Sequence, residues 1–132
     1  MSTTTRLLIT LGITLIAYTP LKSGVLTGAF HADPARIRTL SPVRRRMAGL
    51  NDRGLERTRP VIDELRAVAK AYDVTPGQVA LSWLVTFYGA TVLAIPGASK
   101  PHQAEQNAGV LELRLTDREL ERLDAVSRKA AS

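Results

Sequence analysis

At 132 residues the chain is long enough for one ordinary domain with a real core, and 45% hydrophobic with 23% charged residues is the balance of a globular protein. The absence of cysteine excludes disulfides, thiolate zinc sites and cysteine nucleophiles, and two histidines, His31 and His102, are too few for an ordinary multi-histidine metal site. The formal charge of +6 invites an anionic partner, and a cysteine-free chain is compatible with the reducing cytoplasm, where this one is expected.

Residues 1–10 make an atypical start. The apolar run Leu7 to Tyr18 is too short for a membrane span of about 20 residues and lacks a small-residue cleavage site, so no membrane partner is expected. Its second part, Ile13 to Tyr18, is rich in β-branched residues and bounded by Gly12 and Pro20, the pattern of a parallel strand buried on both faces. From Gly24 to about Arg59 the sequence shows no periodicity, as in a long functional or disordered loop.

Basic residues gather in that stretch at Arg36, Arg38, Arg44, Arg45, Arg46, Arg53, Arg57 and Arg59. They fit either an anion partner or a solvated loop. No aromatic residue is interleaved near Arg44–Arg46 to stack on bases, so no nucleic-acid partner is expected.

Residues 60–72 switch to helical spacing through Val61, Leu65, Val68 and Tyr72, with Pro60 in the first turn. Thr75 and Gln78 form a capping box for a second helix carrying Val79, Trp83 and Phe87, which Gly89 ends. Thr91 to Ile95 reads as a second buried strand, followed by a short helix from about Pro101 to Val110. A last capping box, Thr116 with Glu119, opens a helix to about Lys129, with Leu115 and Leu120 as its hydrophobic staple. The order is an α/β alternation with parallel strands, and two strands do not make a closed sheet.

Both strands end in glycine, hydroxyl and lysine: Tyr18-Thr-Pro-Leu-Lys-Ser-Gly24 and Pro96-Gly-Ala-Ser-Lys-Pro101. In α/β folds that edge receives ligands, because the loops leave there and the following helices aim positive N-termini at it. Gly97 permits close backbone approach, and Ser99 and Lys100 with the helix start suit a phosphate dianion. Gln103, Gln106 and Asn107 share a helix face whose amides suit the edge of an adenine. An ordinary helix start with a solvated face is the plainer alternative. No nucleophile constellation is visible, and Tyr18, Tyr72 and Tyr88 read by themselves as core or rim residues.

These segments resemble the aldo/keto reductase family. Residues 12–21 (GITLIAYTPL) with 23–28 (SGVLTG) are similar to its segment at barrel strand seven. Residues 75–84 (TPGQVALSWL) look like the helix that follows. Residues 95–100 (IPGASK) with Gln103 and Asn107 match its signature after strand eight, and residues 115–124 (LTDRELERLD) match the closing helix. The resemblance runs from about residue 11 to 127.

It implies the C-terminal part of a (β/α)8 TIM barrel: strands seven and eight with their helices over 11–129, residues 1–10 as the end of a preceding barrel unit, and 130–132 as a tail. It also implies an NADP-dependent carbonyl reductase. Tyr18 matches the aromatic stacked on the nicotinamide, and Thr19, Pro20, Leu21 and Gly24 match the turn along the pyrophosphate. Gly97, Ser99 and Lys100 match the 2′-phosphate pocket; Gln103, Gln106 and Asn107 match the adenine and ribose contacts.

Gln106 replaces an acid common in relatives, and Ala29 stands where many carry a lysine, a charge that Arg36 or Arg38 is placed to supply. The family's catalytic aspartate, tyrosine, lysine and histidine lie on the first four strands, and no residue here aligns with them. A whole barrel needs about 250 residues. The expectation is therefore a truncated reductase that retains the NADP segment without the catalytic half, paired with itself or with a complementing half-barrel. A non-catalytic NADP-binding or regulatory module and an inactive gene remnant are the alternatives.

Overall fold

Two short strands lie side by side in the computed structural model, which describes residues 3–131. Strand β1 (Leu15–Tyr18) runs parallel to β2 (Val92–Ile95), with Leu15 opposite Val92 and Tyr18 opposite Ile95. Parallel neighbours require a long crossover, and the helices between them supply it. Among the described residues no third strand joins the pair.

The expectation that both strands are buried on both faces is corrected. Tyr18 is 77% exposed and Val92 is the only residue of either strand that is buried. Apolar β-branched runs are suited to a covered sheet, but cover comes from neighbouring elements, and two strands offer each other only edges. The apolar run before β1 also divides. Helix α1 (Thr3–Thr10) takes its first part, a turn with Gly12 at φ 66° follows, and only the last four residues are strand. Met1 and Ser2 of the atypical start, and Ser132 of the expected tail, lie outside the described residues.

The stretch expected to lack regular structure is instead a chain of short helices with its own core. After β1 come a 3-10 segment (Lys22–Thr27), α2 (Ala29–Ala32), a second 3-10 segment (Pro34–Thr39) and α3 (Pro42–Ala48). Asp33 and Ser41 cap two of them, accepting from the amides of Ala35 and Arg44, and each cap precedes a proline in the first turn. Val25, Phe30, Ala48, Leu50 and Leu55 pack together beneath. Pieces of four to seven residues are too short to display a period, which is why the sequence hides them.

Helix α4 (Asp52–Tyr72) starts eight residues before the expected Pro60. Asn51 caps it, its side chain accepting from the Gly54 amide at 2.8 Å. Pro60 sits inside, where it removes the donor that would serve the Glu56 carbonyl, a defect that typically costs about 3 kcal/mol. Glu56, Arg59 and Pro60 all lie on the exposed face, where a freed carbonyl costs least, while Leu55, Thr58, Val61 and Ile62 bury the other face. Burial overrides the proline.

The main core lies between helices. Ile62, Leu65 and Val68 of α4 pack against Val79 and Ala80 of α5 (Pro76–Phe87), Leu113 and Leu115, and Leu120 and Leu123 of α7 (Asp117–Ala131). Both capping boxes form as the spacing predicts. In the second, Glu119 also accepts from the Tyr72 hydroxyl at 2.8 Å, tying α7 to α4. Burial pushes the Glu119 carboxyl up, but the Thr116 amide and the Tyr72 and Thr116 hydroxyls outweigh it and hold the group below its ordinary value. Helix α6 (Pro101–Gly109) follows β2, and α7 runs on to Ala131. Among the described residues no helix is long and apolar enough to cross a membrane.

Candidate functional site

The loop leaving β1 is held in an unusual backbone. Thr19, Lys22 and Ser23 have φ near 50° and Gly24 has φ 93°, so three non-glycine residues within five positions are left-handed. Each costs on the order of 1–2 kcal/mol and persists only when its surroundings fix it. The Lys22 amide donates to Thr19 O at 2.8 Å, the Gly24 amide to Leu21 O at 3.0 Å, and Thr27 Oγ1 to Gly24 O at 2.7 Å. Below, Gly28 touches α4: its carbonyl accepts from Arg66 Nη2 at 3.0 Å, and a Cβ there would stand 3.1 Å from Ile62.

The loop leaving β2 is fixed from the helix it enters. Gln103 turns its amide oxygen back to accept from the Ser99 amide (2.8 Å), the Ser99 hydroxyl (3.2 Å) and the Lys100 amide (3.1 Å). Three donors thus converge on one point at the head of α6. Gln103 Oε1 holds that point in this structure, and a negative oxygen would suit the same donors in its place.

Between the two loops lies a cleft of about 710 Å³, within the usual range for small-molecule sites. Thr19, Pro20, Leu21 and Gly24 line it from the β1 side, and Gly97, Ser99 and Gln103 from the β2 side. A smaller hollow of about 290 Å³ adjoins it, sharing Leu21, Gly97 and Gln103 and adding Gln106 and Asn107. The first turn of α5 closes that end through Thr75 to Gln78. The strand-end residues singled out in the sequence are therefore brought together, with two outside the walls: Tyr18 and Lys100 line neither hollow, and both are exposed.

Sequence reasoning missed Arg44, which lines the larger cleft and donates from Nη2 to the Ser23 carbonyl at 3.5 Å. Arg36 and Arg38, the cations suggested for this role, sit exposed on the second 3-10 segment, away from the walls. Nothing in the three-arginine run distinguishes Arg44; only the orientation of α3 does. Thr27, on the wall of both hollows, was also missed. Arg44 is the only ionisable side chain among the described residues that line the two hollows. Such walls can bind and orient an anionic ligand, but they offer no carboxyl, imidazole or phenol to move a proton.

Comparison with known proteins identifies the family. The model of the aldo/keto reductase family matches residues 3–128. An uncharacterized oxidoreductase of Mycobacterium tuberculosis is 38% identical over 104 residues, covering 77% of this chain and 30% of its own length. An aldo-keto reductase of Strobilurus tenacellus is 31% identical over 110 residues (83% of this chain, 32% of its length). A Schizosaccharomyces pombe aldo-keto reductase, whose name specifies NADP(+), is 30% identical over 105 residues (80% and 30%). A thermostable aldo-keto reductase solved with the inhibitor epalrestat superposes with a TM-score of 0.60 at 24% identity, over 92% of this chain and 32% of its own, a likeness of fold. The chain thus spans about a third of the length of the relatives it matches. With the family model covering nearly all of it, the chain belongs to the aldo/keto reductase family, whose members typically use NADP.

Proposed function

We propose that this chain carries the NADP-binding part of a carbonyl reductase, corresponding to strands seven and eight of a (β/α)8 barrel, without the catalytic half. The observation that carries the reading is the cleft uniting both strand-end loops, with a cation as the only ionisable group among the described residues on its walls. The donors of Ser99 and Lys100, which Gln103 Oε1 occupies in this structure, suit the 2′-phosphate beside Gly97 when that oxygen is displaced. Thr19, Pro20, Leu21 and Gly24, with Arg44 beside them at the Ser23 carbonyl, suit the pyrophosphate. Gln103, Gln106 and Asn107 border the hollow that would take adenine and ribose, and exposed Tyr18 offers its ring to the nicotinamide. When bound, the cofactor supplies hydride; this chain's residues hold it.

Turnover then depends on a complement. The uncovered faces of β1 and β2 favour pairing, either with a complementing half-barrel or with a second copy. We place the protein in the cytoplasm, where a cysteine-free chain and a nicotinamide cofactor are both at home. NADPH titration followed by cofactor emission, beside an aldehyde-reduction assay, tests the reading: saturable binding without turnover is expected. Turnover by the isolated chain would overturn the claim that the catalytic half is lacking, and absence of binding would overturn the cofactor site. A regulatory NADP-binding module is the second reading. It predicts binding without turnover whatever chain is added.

A further inference from the structure

The capping box of α5 reaches beyond its own helix. Gln78 Oε1 accepts from the Thr75 amide at 3.0 Å and the Thr75 hydroxyl at 3.1 Å, while Nε2 donates to the Gln106 carbonyl at 3.0 Å. That carbonyl lies where α6 ends. A continuing helix would bring it the Val110 amide, but that amide turns to the carbonyls of Asn107 and Ala108. Carbonyls freed at a helix C-terminus need other partners, and here a side chain from the neighbouring helix provides one.

Gly109 leaves room for the link, since a Cβ there would stand 3.2 Å from Gln78 Nε2. No residue of α6 is buried, so apolar packing does little to set the position of this helix; Val110, just beyond it, is the first that is. Yet Gln103, Gln106 and Asn107 on α6 line the smaller hollow, and Gln78 lines it as well.

We propose that Gln78 is a positioning residue that fixes the α6 wall through the Gln106 carbonyl and thereby sets affinity for the adenosine end of the cofactor. The affinity claim rests on the NADP reading above; the positioning claim does not. Gln78→Glu keeps an acceptor for the Thr75 amide and removes the donor to α6. Gly109→Ala leaves Gln78 intact and crowds its Nε2.

Both variants are expected to weaken 2′,5′-ADP about fivefold, the factor one neutral hydrogen bond carries, and to leave nicotinamide mononucleotide within about twofold. Amide exchange is expected to quicken about fivefold across residues 103–109 and to stay unchanged in α4 and α7. Equal weakening of both ligands overturns the selective role, and unchanged exchange in α6 overturns the positioning role. A wild-type chain that binds neither fragment overturns the cofactor reading and the affinity claim together, while faster exchange confined to α6 still upholds the positioning role.

Discussion

Ile16 stands opposite Leu93 in the parallel pair, and both residues are 59% exposed. Cross-strand partners normally hide each other against a third layer. Here they face outward together with Tyr18 and Ile95, the pair two residues on along the same face, which are exposed as well. An apolar patch on a two-stranded sheet with open edges is a surface that seeks cover.

Replacing both residues, as Ile16→Lys with Leu93→Lys, is expected to shift the chain toward monomer in sedimentation. Far-UV circular dichroism should stay unchanged, because the main core lies between α4, α5 and α7 and includes neither side chain. The stability cost should stay within about 0.5 kcal/mol per exposed site. A wild-type chain that is already monomeric at its highest soluble concentration would remove the argument for pairing.

Gly54 lies in the first turn of α4, a position where alanine normally stabilises a helix by about 0.5–1 kcal/mol. A Cβ at this site would run into the Gly49 carbonyl, which is backbone and cannot swing aside. The steric term should win and reverse the sign. Gly54→Ala is expected to destabilise by about 1–3 kcal/mol, the range for overpacking, as read by urea denaturation. An increase in stability would mean that the turn between α3 and α4 yields easily.

The features legible in the sequence are those written in local chemistry. The boxes at Thr75–Gln78 and Thr116–Glu119 are reciprocal bonds at a fixed offset, and both form. The strand ends were legible because glycine, hydroxyl and lysine recur after each apolar run. Pro60 misled, since the force that carries α4 past it is the burial of Leu55 and Thr58, contacts made far along the chain. Arg44 and the bond from Gln78 to Gln106 were illegible for the same reason: each depends on how one helix is set against a distant segment.

His31 links α2 to α4, with Nε2 3.2 Å from the Leu55 carbonyl and 3.0 Å from Thr58 Oγ1. The carbonyl can only accept, so Nε2 carries the proton, and Nδ1 is buried with no partner among the described residues. Burial lowers the imidazole from its ordinary 6.5; the bond to Leu55 and Asp63 push it up, and Arg59 and Arg66 push it down. The unfolded chain therefore takes up the proton first as pH falls. Stability is fully present above the unfolded value and is lost as pH drops toward the lower folded one. The urea midpoint should fall between about pH 7.5 and about pH 5.5, and His31→Gln should flatten that slope. An equal slope in the variant would assign it to other groups.

Arg44 makes the sharpest test of the cleft. Among the described residues no carboxylate lies within ion-pair reach of it, and the hydrogen bond its side chain makes, to the Ser23 carbonyl, is long at 3.5 Å. Arg44→Gln should therefore leave stability within about 0.5 kcal/mol. A charge-assisted bond to phosphate is worth about 1.5–3 kcal/mol, reduced by the exposure of this side chain, so NADPH affinity should fall about tenfold. Nicotinamide riboside, which has no phosphate, should be unaffected. Raising salt from about 0.1 M to about 1 M shortens the screening length from about 10 Å to about 3 Å and should weaken the wild type more than the variant. Arg36→Gln and Arg38→Gln are the controls, because those residues share the charge but not the wall. Equal losses in all three variants would mean that the basic surface attracts the ligand diffusely, and that Arg44 does not hold it.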